Sequence, residues 1–475
     1  MRIVYCNALF ALLLLQASVI IEARDCVLCN ILQHGKERLA NIPRISANLS
    51  INGGLHISGG LESQSSNQPQ AIQFPAREIQ YPSLQRSAQR SLQVEAKIEI
   101  RHFTEADIEI DAKLKTVELI KKYGFPVETH FVTTEDGYKL CLHRMPRPGA
   151  QPILLVHGLM SSSAAWVMLG PSNGLAYILY LQGYDVWMLN TRGNIYSREH
   201  TNKFISMMDY WDFSFHDIGV KDLPPSIDLI LERTNYQQIQ YIGHSQGSTV
   251  FFVMCSELPS YSSKVIIMQA LSPSVFMKDT RSPVLKFMGF FRGPLTMLLV
   301  RLGGYAVSIT TKLIQQFRHH ICPANKITSQ ICGVFDFVLC GFNWFGFNMT
   351  LTPIIVGHSS QGSSTKQIHH YAQLQKKLNF RRYDLGPTRN LIRYKSLSPP
   401  SYNLSQTQCK VVLHHGEDDW LSSGSDVANL QERLPNCIES RKVELKFFTH
   451  FDFIISKDVR PLVYDRVVNL AVTNK

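Results

Sequence analysis

A serine with glycine two residues before and two after it, Gly243-His244-Ser245-Gln246-Gly247, stands between the apolar run Ile239 to Ile242 and a helical stretch that begins near Gln246. A hydroxyl carried on a sharp turn from strand to helix is a candidate nucleophile. Such a turn packs so tightly that side chains two residues away would collide, and it leaves the serine exposed at the carboxyl edge of a sheet. The helix that follows adds the positive end of its dipole. The five-residue spacing alone is common, so the strand before it and the helix after it carry the reading. A second motif, Gly357-His358-Ser359-Ser360-Gln361-Gly362, lacks a glycine two residues after Ser359 and any strand-turn-helix context, and reads as a polar loop.

A serine hydroxyl is a poor nucleophile until a base takes its proton and an acid holds that base in the right tautomer. With a nucleophile of this type the chain order is Ser, acid, His. Among 17 histidines, His450 satisfies it. It follows the apolar run Leu445 to Phe448, read as the end of a strand Val443 to Phe448, and precedes Phe451-Asp452-Phe453. His414 and His415 end an earlier strand and read as structural imidazoles. The acid belongs after that strand, Lys410 to His414, where Glu417, Asp418 and Asp419 follow Gly416; position alone leaves the three open. An oxyanion needs two backbone N–H donors, one from the residue after the nucleophile and one from a loop after an earlier strand. Gln246 is the first. The second lies in His157-Gly158-Leu159, directly after the apolar run Ile153 to Val156, and geometry and precedent select Leu159.

These residues need a frame, and the pattern supplies one. A helix through Leu114, Val117 and Ile120 precedes two strands, Glu128 to Thr133 and Tyr138 to Arg144, joined at Glu135-Asp136-Gly137, a hairpin signal. Apolar strands then alternate with helices: strand Ile153 to Val156, helix Ala176 to Gln182, strand Asp185 to Leu189, helix Pro225 to Glu232, strand Ile239 to Ile242, helix Gln246 to Glu257 and strand Val265 to Gln269. This is the signature of an α/β protein with a mostly parallel sheet covered on both faces. The alternation breaks after Ser272 and returns with strand Lys410 to His414, helix Val427 to Leu434 and helix Leu462 to Val472. Between them lies an apolar, aromatic, mainly helical insertion. The expected organisation is a signal peptide at 1–23, a disordered leader or pro-segment at 24–110, a first core part at 111–273, the insertion at 274–403 and a second core part at 404–475.

The chain has 475 residues, 45% hydrophobic and 18% charged, which suits a globular body with an ample core. Met1 to Ala23 has a basic start, a short apolar centre and a small residue at its end, the layout of a secretory signal; its apolar run falls short of the ~20 residues a span needs. No later stretch reaches that length without a charge or proline, so no transmembrane segment is expected after cleavage. Export makes Asn48, Asn348 and Asn403 candidate glycan sites. Cys26 and Cys29 form an isolated C-x-x-C, read as incidental or locally bridged, and no metal site is expected. The net charge of +11 reads as a solvated basic surface with some affinity for anionic interfaces. No basic run interleaved with aromatics tracks nucleic acid.

With these blocks in view, the chain from Asp111 to Lys475 resembles the acid lipase family, the group of gastric and lysosomal acid lipases. The likeness rests on Tyr123-Gly124-Phe125-Pro126, Thr134-Glu135-Asp136-Gly137-Tyr138, Val156-His157-Gly158-Leu159, Gly183-Tyr184-Asp185-Val186-Trp187, Asn190 with Arg192-Gly193-Asn194, Trp211-Asp212-Phe213-Ser214-Phe215, the Ser245 block, Asp419-Trp420-Leu421 and His450-Phe451-Asp452-Phe453. The resemblance implies an α/β-hydrolase fold and a triad of Ser245, Asp419 and His450, which resolves the acid. It implies that the insertion is a cap with a lid whose aromatics, such as Phe287, Phe335 and Trp344, shield acyl chains. It further implies a Cys322–Cys332 disulfide with Cys340 free, and Cys409 with Cys437 as a weaker second pair. The implied activity is cofactor-free hydrolysis of triacylglycerol or cholesteryl ester at a lipid–water interface, through an acyl-enzyme, in the extracellular space or lysosome. An acidic optimum is inherited with it, and would require the site to lower the pKa of its histidine from about 6.5. Two other readings are an esterase of small soluble esters or thioesters, and a non-catalytic lipid-binding or yolk-type protein on the same scaffold. The chain departs from the family in Glu417-Asp418, where Gly-His is usual, and in its long leader.

Overall fold

The computed structural model describes residues 105–283, 285–286, 343, 346, 349–359, 361–375 and 379–475. The expected signal peptide, nearly all of the leader, Cys26, Cys29, Asn48, Asn348, the Cys322, Cys332 and Cys340 trio and the cap aromatics from Phe287 to Phe347 lie outside the described residues. Helix Glu105–Asp111 spans the boundary drawn between leader and core.

Among the described residues the core is one 9-stranded sheet. Its strands are β1 (Glu128–Thr133), β2 (Tyr138–Met145), β3 (Pro152–Val156), β4 (Asp185–Leu189), β5 (Glu199–His200), β6 (Ile239–His244), β7 (Val265–Leu271), β8 (Lys410–His415) and β9 (Cys437–Lys442). Their order is β1-β2-β4-β3-β6-β7-β8-β9, with β5 beside β2. The β1–β2 hairpin and the β2–β4 pairing are antiparallel, and every pairing from β4 to β9 is parallel. The hairpin turns at Gly137, whose φ of 94° suits glycine.

The central strands are buried throughout because both sheet faces are covered. In β3, Leu154 and Val156 enter one hydrophobic cluster while Ile153 and Leu155 enter the other. In β4, Trp187 and Leu189 face the first cluster and Val186 and Met188 the second. Alternating side chains thus feed two cores from one apolar run, which is why these segments show no polar period. Helices Leu223–Thr234 and Gln246–Glu257 supply the first cluster, and helices Leu175–Leu181 and Asp465–Thr473 the second.

The last strand differs from expectation. β9 is Cys437–Lys442, not Val443 to Phe448, which is an irregular loop. β9 is an edge strand, half exposed and rich in charge, so it carries no apolar run, and such charge also blunts an exposed edge. Val443 and Phe448 are apolar because the loop tucks them into the second cluster. Cys409 and Cys437 are free thiols, against the weaker disulfide expectation. In the β8–β9 register Cys437 sits opposite Val411, two residues beyond Cys409. A two-residue offset across one strand spacing separates their Cα atoms by about 8 Å, too far to bridge.

Part of the insertion is described, as helices Thr352–His358, Thr365–Leu374 and Pro387–Tyr394. The Gly357 motif is therefore only partly a loop: Gly357 and His358 close a helix, and His358 Nε2–H donates to the Asp111 carbonyl at 2.9 Å. Asn403 is exposed, its Oδ1 accepting from Ser405 N at 3.1 Å. Among the described residues no helix is long and apolar enough to cross a membrane.

A buried ion cluster ties the hairpin to the sheet. Arg192, 2% exposed, donates from Nε to Asp222 at 2.7 Å and from Nη1 to Asp136 at 2.8 Å, with its guanidinium over the Tyr138 ring. Removing one partner of such a pair strands the other charge. Arg192→Met, which leaves Asp222 buried without its cation, is expected to cost about 3–5 kcal/mol, read as a lowered urea midpoint at unchanged m.

Candidate active site

The parallel register brings the carboxyl ends of five strands to one edge. Val156 pairs with Gly243, His244 with Leu271 and Leu271 with His414. The loops that leave these ends carry Leu159, Ser245, Ser272, Asp419 and, after β9, His450. Ligand sites of open parallel sheets form at this edge.

Ser245 sits between β6 and its helix at φ 52°, ψ −114°, a conformation costly for a residue with a side chain. Several bonds hold it there. Ser245 N donates to the Leu271 carbonyl at 2.9 Å, Ser248 Oγ to the Gly243 carbonyl at 2.7 Å and Tyr241 Oη to the Gly247 carbonyl at 2.7 Å. A Cβ on Gly247 would lie 2.1 Å from the Val156 carbonyl oxygen, and one on Gly243 would lie 2.6 Å from the Gly247 carbonyl carbon. The glycine spacing thus answers to backbone packed on backbone.

His450 Nε2 lies 2.7 Å from Ser245 Oγ, and its Nδ1 lies 3.1 Å from each Asp419 carboxylate oxygen. Serine, imidazole and carboxylate form a continuous buried relay in which Nε2 can accept the Ser245 proton while Nδ1–H stays on the carboxylate side. Of the three candidate acids the structure brings only Asp419 to the base. Glu417 pairs with Lys442 and Asp418 with Arg281. The Asp419 carboxylate also accepts from Leu421 N at 2.9 Å and Ser422 N at 2.8 Å. Burial pushes this carboxyl up, but His450, the Ser272 hydroxyl and the Ser422 N–H outweigh it and hold it below its ordinary value.

Gly158 lies over the nucleophile; a Cβ there would be 3.2 Å from Ser245 Cβ. The backbone N–H groups of Leu159 and Gln246 have no acceptor among the described residues. Neighbouring side chains set this loop. His157 Nε2 accepts from Thr191 N at 3.3 Å and Asn194 Nδ2 at 3.2 Å, so Nδ1 carries the proton and donates to the Gly158 carbonyl at 2.8 Å. The insertion adds a bond, Gln361 N to the Met160 carbonyl at 2.8 Å. Its helix Thr365–Leu374 stacks His370 on Phe215 and sends Tyr371 Oη to Thr249 Oγ1 at 3.0 Å.

Four groups near the site escaped the sequence reading. His244 Nε2–H donates to the His450 carbonyl at 3.1 Å and so anchors the loop of the base. Asp452 accepts from Thr449 N at 2.6 Å and from Asn343 Nδ2 at 3.0 Å, closing the turn that presents His450; burial pushes its carboxyl up to about 6. His157 and Ser272 complete the set. For His157, His244 and Ser272 the signal in the sequence is position, next to a glycine or at a strand's carboxyl end, rather than type. His414 and His415 end β8, as expected, and do not reach the relay; His414 Nε2 is 3.4 Å from Gln269 Oε1. No group of three His, Cys, Asp or Glu side chains among the described residues is arranged to hold a metal.

A family model described as the alpha/beta hydrolase fold matches residues 151–295, and another, a partial alpha/beta-hydrolase lipase region, matches residues 116–170. The chain is similar to Lipase 1 of Drosophila melanogaster, 39% identical over 77% of this chain and 81% of that protein. It is 32% identical to the lysosomal acid lipase/cholesteryl ester hydrolase of Homo sapiens, over 76% of this chain and 92% of that one. With the gastric triacylglycerol lipase of Mus musculus the identity is 33%, over 76% and 92% of the two chains.

Two outcomes follow from the site's packing. Gly247→Ala is expected to destabilise the fold by at least ~3 kcal/mol, because the clash is with backbone and cannot relax by a rotamer change; thermal unfolding would report it. Burial holds the His157 imidazole down to about 4 and His244 down to about 3, disfavouring their charged forms. Both are expected to stay neutral from pH 8 to about pH 5, visible as constant ring-nitrogen shifts in NMR of the ¹⁵N-labelled protein.

Proposed function

The chain belongs to the acid lipase family of α/β-hydrolases, and from that premise we propose that it hydrolyses neutral lipid esters, triacylglycerol or cholesteryl ester, with Ser245 as nucleophile, His450 as base and Asp419 as acid. The observation that carries this reading is the buried relay: Ser245 Oγ at 2.7 Å from His450 Nε2, and His450 Nδ1 at 3.1 Å from Asp419, mounted on a strained turn.

In this mechanism His450 Nε2 takes the hydroxyl proton as Ser245 Oγ attacks the ester carbonyl carbon. Negative charge develops on the former carbonyl oxygen, and the N–H groups of Leu159 and Gln246 are the donors proposed to receive it; each such donor supplies about 10²- to 10³-fold in rate. Collapse of the tetrahedral species expels the alcohol, which takes its proton from His450. An acyl-Ser245 ester remains. Water, deprotonated by the same imidazole, attacks that ester, and the fatty acid leaves with Ser245 restored. Asp419 keeps the Nδ1–H tautomer and stabilises the imidazolium formed in each half-reaction. No cofactor enters any step.

The insertion serves here as a water-excluding cover for acyl chains, with a lipid–water interface as the place of encounter. The amino-terminal signal and the Asn403 sequon fit a secretory route, to the lysosome or outside the cell. The Cys322–Cys332 bridge, with glycans at Asn48 and Asn348, belongs to the same reading.

The decisive assay is fatty-acid release from emulsified trioleoylglycerol and from cholesteryl oleate between roughly pH 4 and pH 8, a range that spans the histidine reference value. Wild type is expected to release acid and Ser245→Ala to lose at least about 10⁴-fold in kcat. Asp419→Asn is expected to fall on the order of 10⁴-fold, because the amide favours the wrong imidazole tautomer. Lipid binding without acid release by wild type would overturn the hydrolase in favour of a carrier.

A further inference from the structure

Ser272 follows β7 immediately, fully buried, at φ 52°. Its N–H donates to the His414 carbonyl at 2.8 Å, which holds the residue at the carboxyl edge level with the end of β8. From there its Oγ–H reaches Asp419 Oδ2, and the same oxygen stands 2.5 Å from His450 Nδ1. One hydroxyl can serve both contacts, since it donates its proton to the carboxylate and accepts Nδ1–H through a lone pair. The Nδ1–Oγ contact is shorter than either 3.1 Å contact of Nδ1 with Asp419.

The two residues that follow continue the pattern. The Pro273 carbonyl accepts from Ser422 Oγ at 2.7 Å, beside the Asp419 turn. The Ser274 carbonyl accepts from Thr249 Oγ1 at 2.7 Å, one turn into the helix behind Ser245. Residues 272–274 therefore touch the acid, the base and the support of the nucleophile in one short stretch. A left-handed backbone at a buried serine costs free energy. Asn or Gly would adopt it more readily, but neither would offer a hydroxyl here.

We propose that Ser272 is a positioning residue for the hydrolytic relay, its hydroxyl bridging His450 Nδ1 and Asp419 so that the imidazole is locked in the Nδ1–H tautomer with Nε2 aimed at Ser245. Without it, Nδ1–H is left with the two longer, bifurcated contacts to the carboxylate, and the ring gains freedom to tilt away from the nucleophile. This inference rests on the hydrolase reading above, so its test needs one readout that does not depend on turnover.

Ser272→Ala and Ser272→Gly are to be compared with wild type. Both remove the hydroxyl, while only glycine relieves the left-handed backbone, so a fault of folding would separate them and a loss of the bridge would not. Expected for both is a fall in kcat on the order of tenfold to a hundredfold on a dispersed short-chain ester, with KM within about twofold. The readout independent of turnover is the low-field ¹H resonance of His450 Nδ1–H, expected to shift or vanish in both variants. A resonance unmoved in the variants overturns the proposal whether or not the wild type turns over lipid, as does wild-type kcat in both. Absence of turnover in wild type with a resonance that moves keeps the bridge and removes the hydrolase reading.

Discussion

The contact on which the rest of this molecule depends is backbone against backbone: the first turn of the helix after Ser245 pressed against the end of β3. Gly247 lies so near the Val156 carbonyl that no side chain fits between them. That approach forces Ser245 into its left-handed conformation and brings the loop after β3 to within van der Waals contact of its Cβ. Ser245 and the N–H groups proposed to receive an oxyanion are thereby placed by the same packing constraint. The strain at Ser245 is offset elsewhere, by the two buried clusters that cover both sheet faces and by the hydroxyl and amide bonds that pin the turn. A looser helix would relieve the serine and separate it from its donors.

The parts of this arrangement that were legible in the sequence are those in which residue type and position are both constrained. Ser245 could be read because steric exclusion demands glycine on either side of it. The central strands could be read because burial on two faces demands apolar residues without a break. His450 is singled out in the sequence for a partly mistaken reason: the apolar run before it is a tucked loop, and the true strand, Cys437–Lys442, is polar because it lies at the edge. Hydrophobicity reports burial, and burial coincides with strand only where both faces are covered. Asp419 could not be told from Glu417 and Asp418 by position, since all three fit a solvated turn; the family resemblance singled it out, and the fold buries one and leaves its neighbours to surface cations. Ser272 was invisible because a serine after a strand is ordinary, and only the three-dimensional convergence of β7, β8 and the loop after β9 gives it partners.

The polar groups around the relay divide labour by charge. His157 and His244, buried and neutral, act as hydrogen-bonding struts whose protons are assigned by their neighbours rather than by solvent pH. The ionic character of the site is concentrated in Asp419, which has enough donors to remain a carboxylate in a buried setting. Asp452, pushed up to about 6 by burial, is the neighbouring group that changes charge as the medium acidifies.

The bond from Gln361 to the Met160 carbonyl, and the seat of helix Thr365–Leu374 on Phe215 and Thr249, bear on the modularity of the fold. The insertion leaves the sheet after Ser272, yet its return leg from Leu351 onward packs Ile354 and Ile355 into the core and braces the loop at Met160. Its connectivity marks it as a separable module, but its mechanics do not. Its leading leg is bound in as well: Val275, Phe276 and Met277 join the first cluster, and Asn343 donates to Asp452. Exchanging such an insertion would therefore have to carry both of its ends along with the loops they brace.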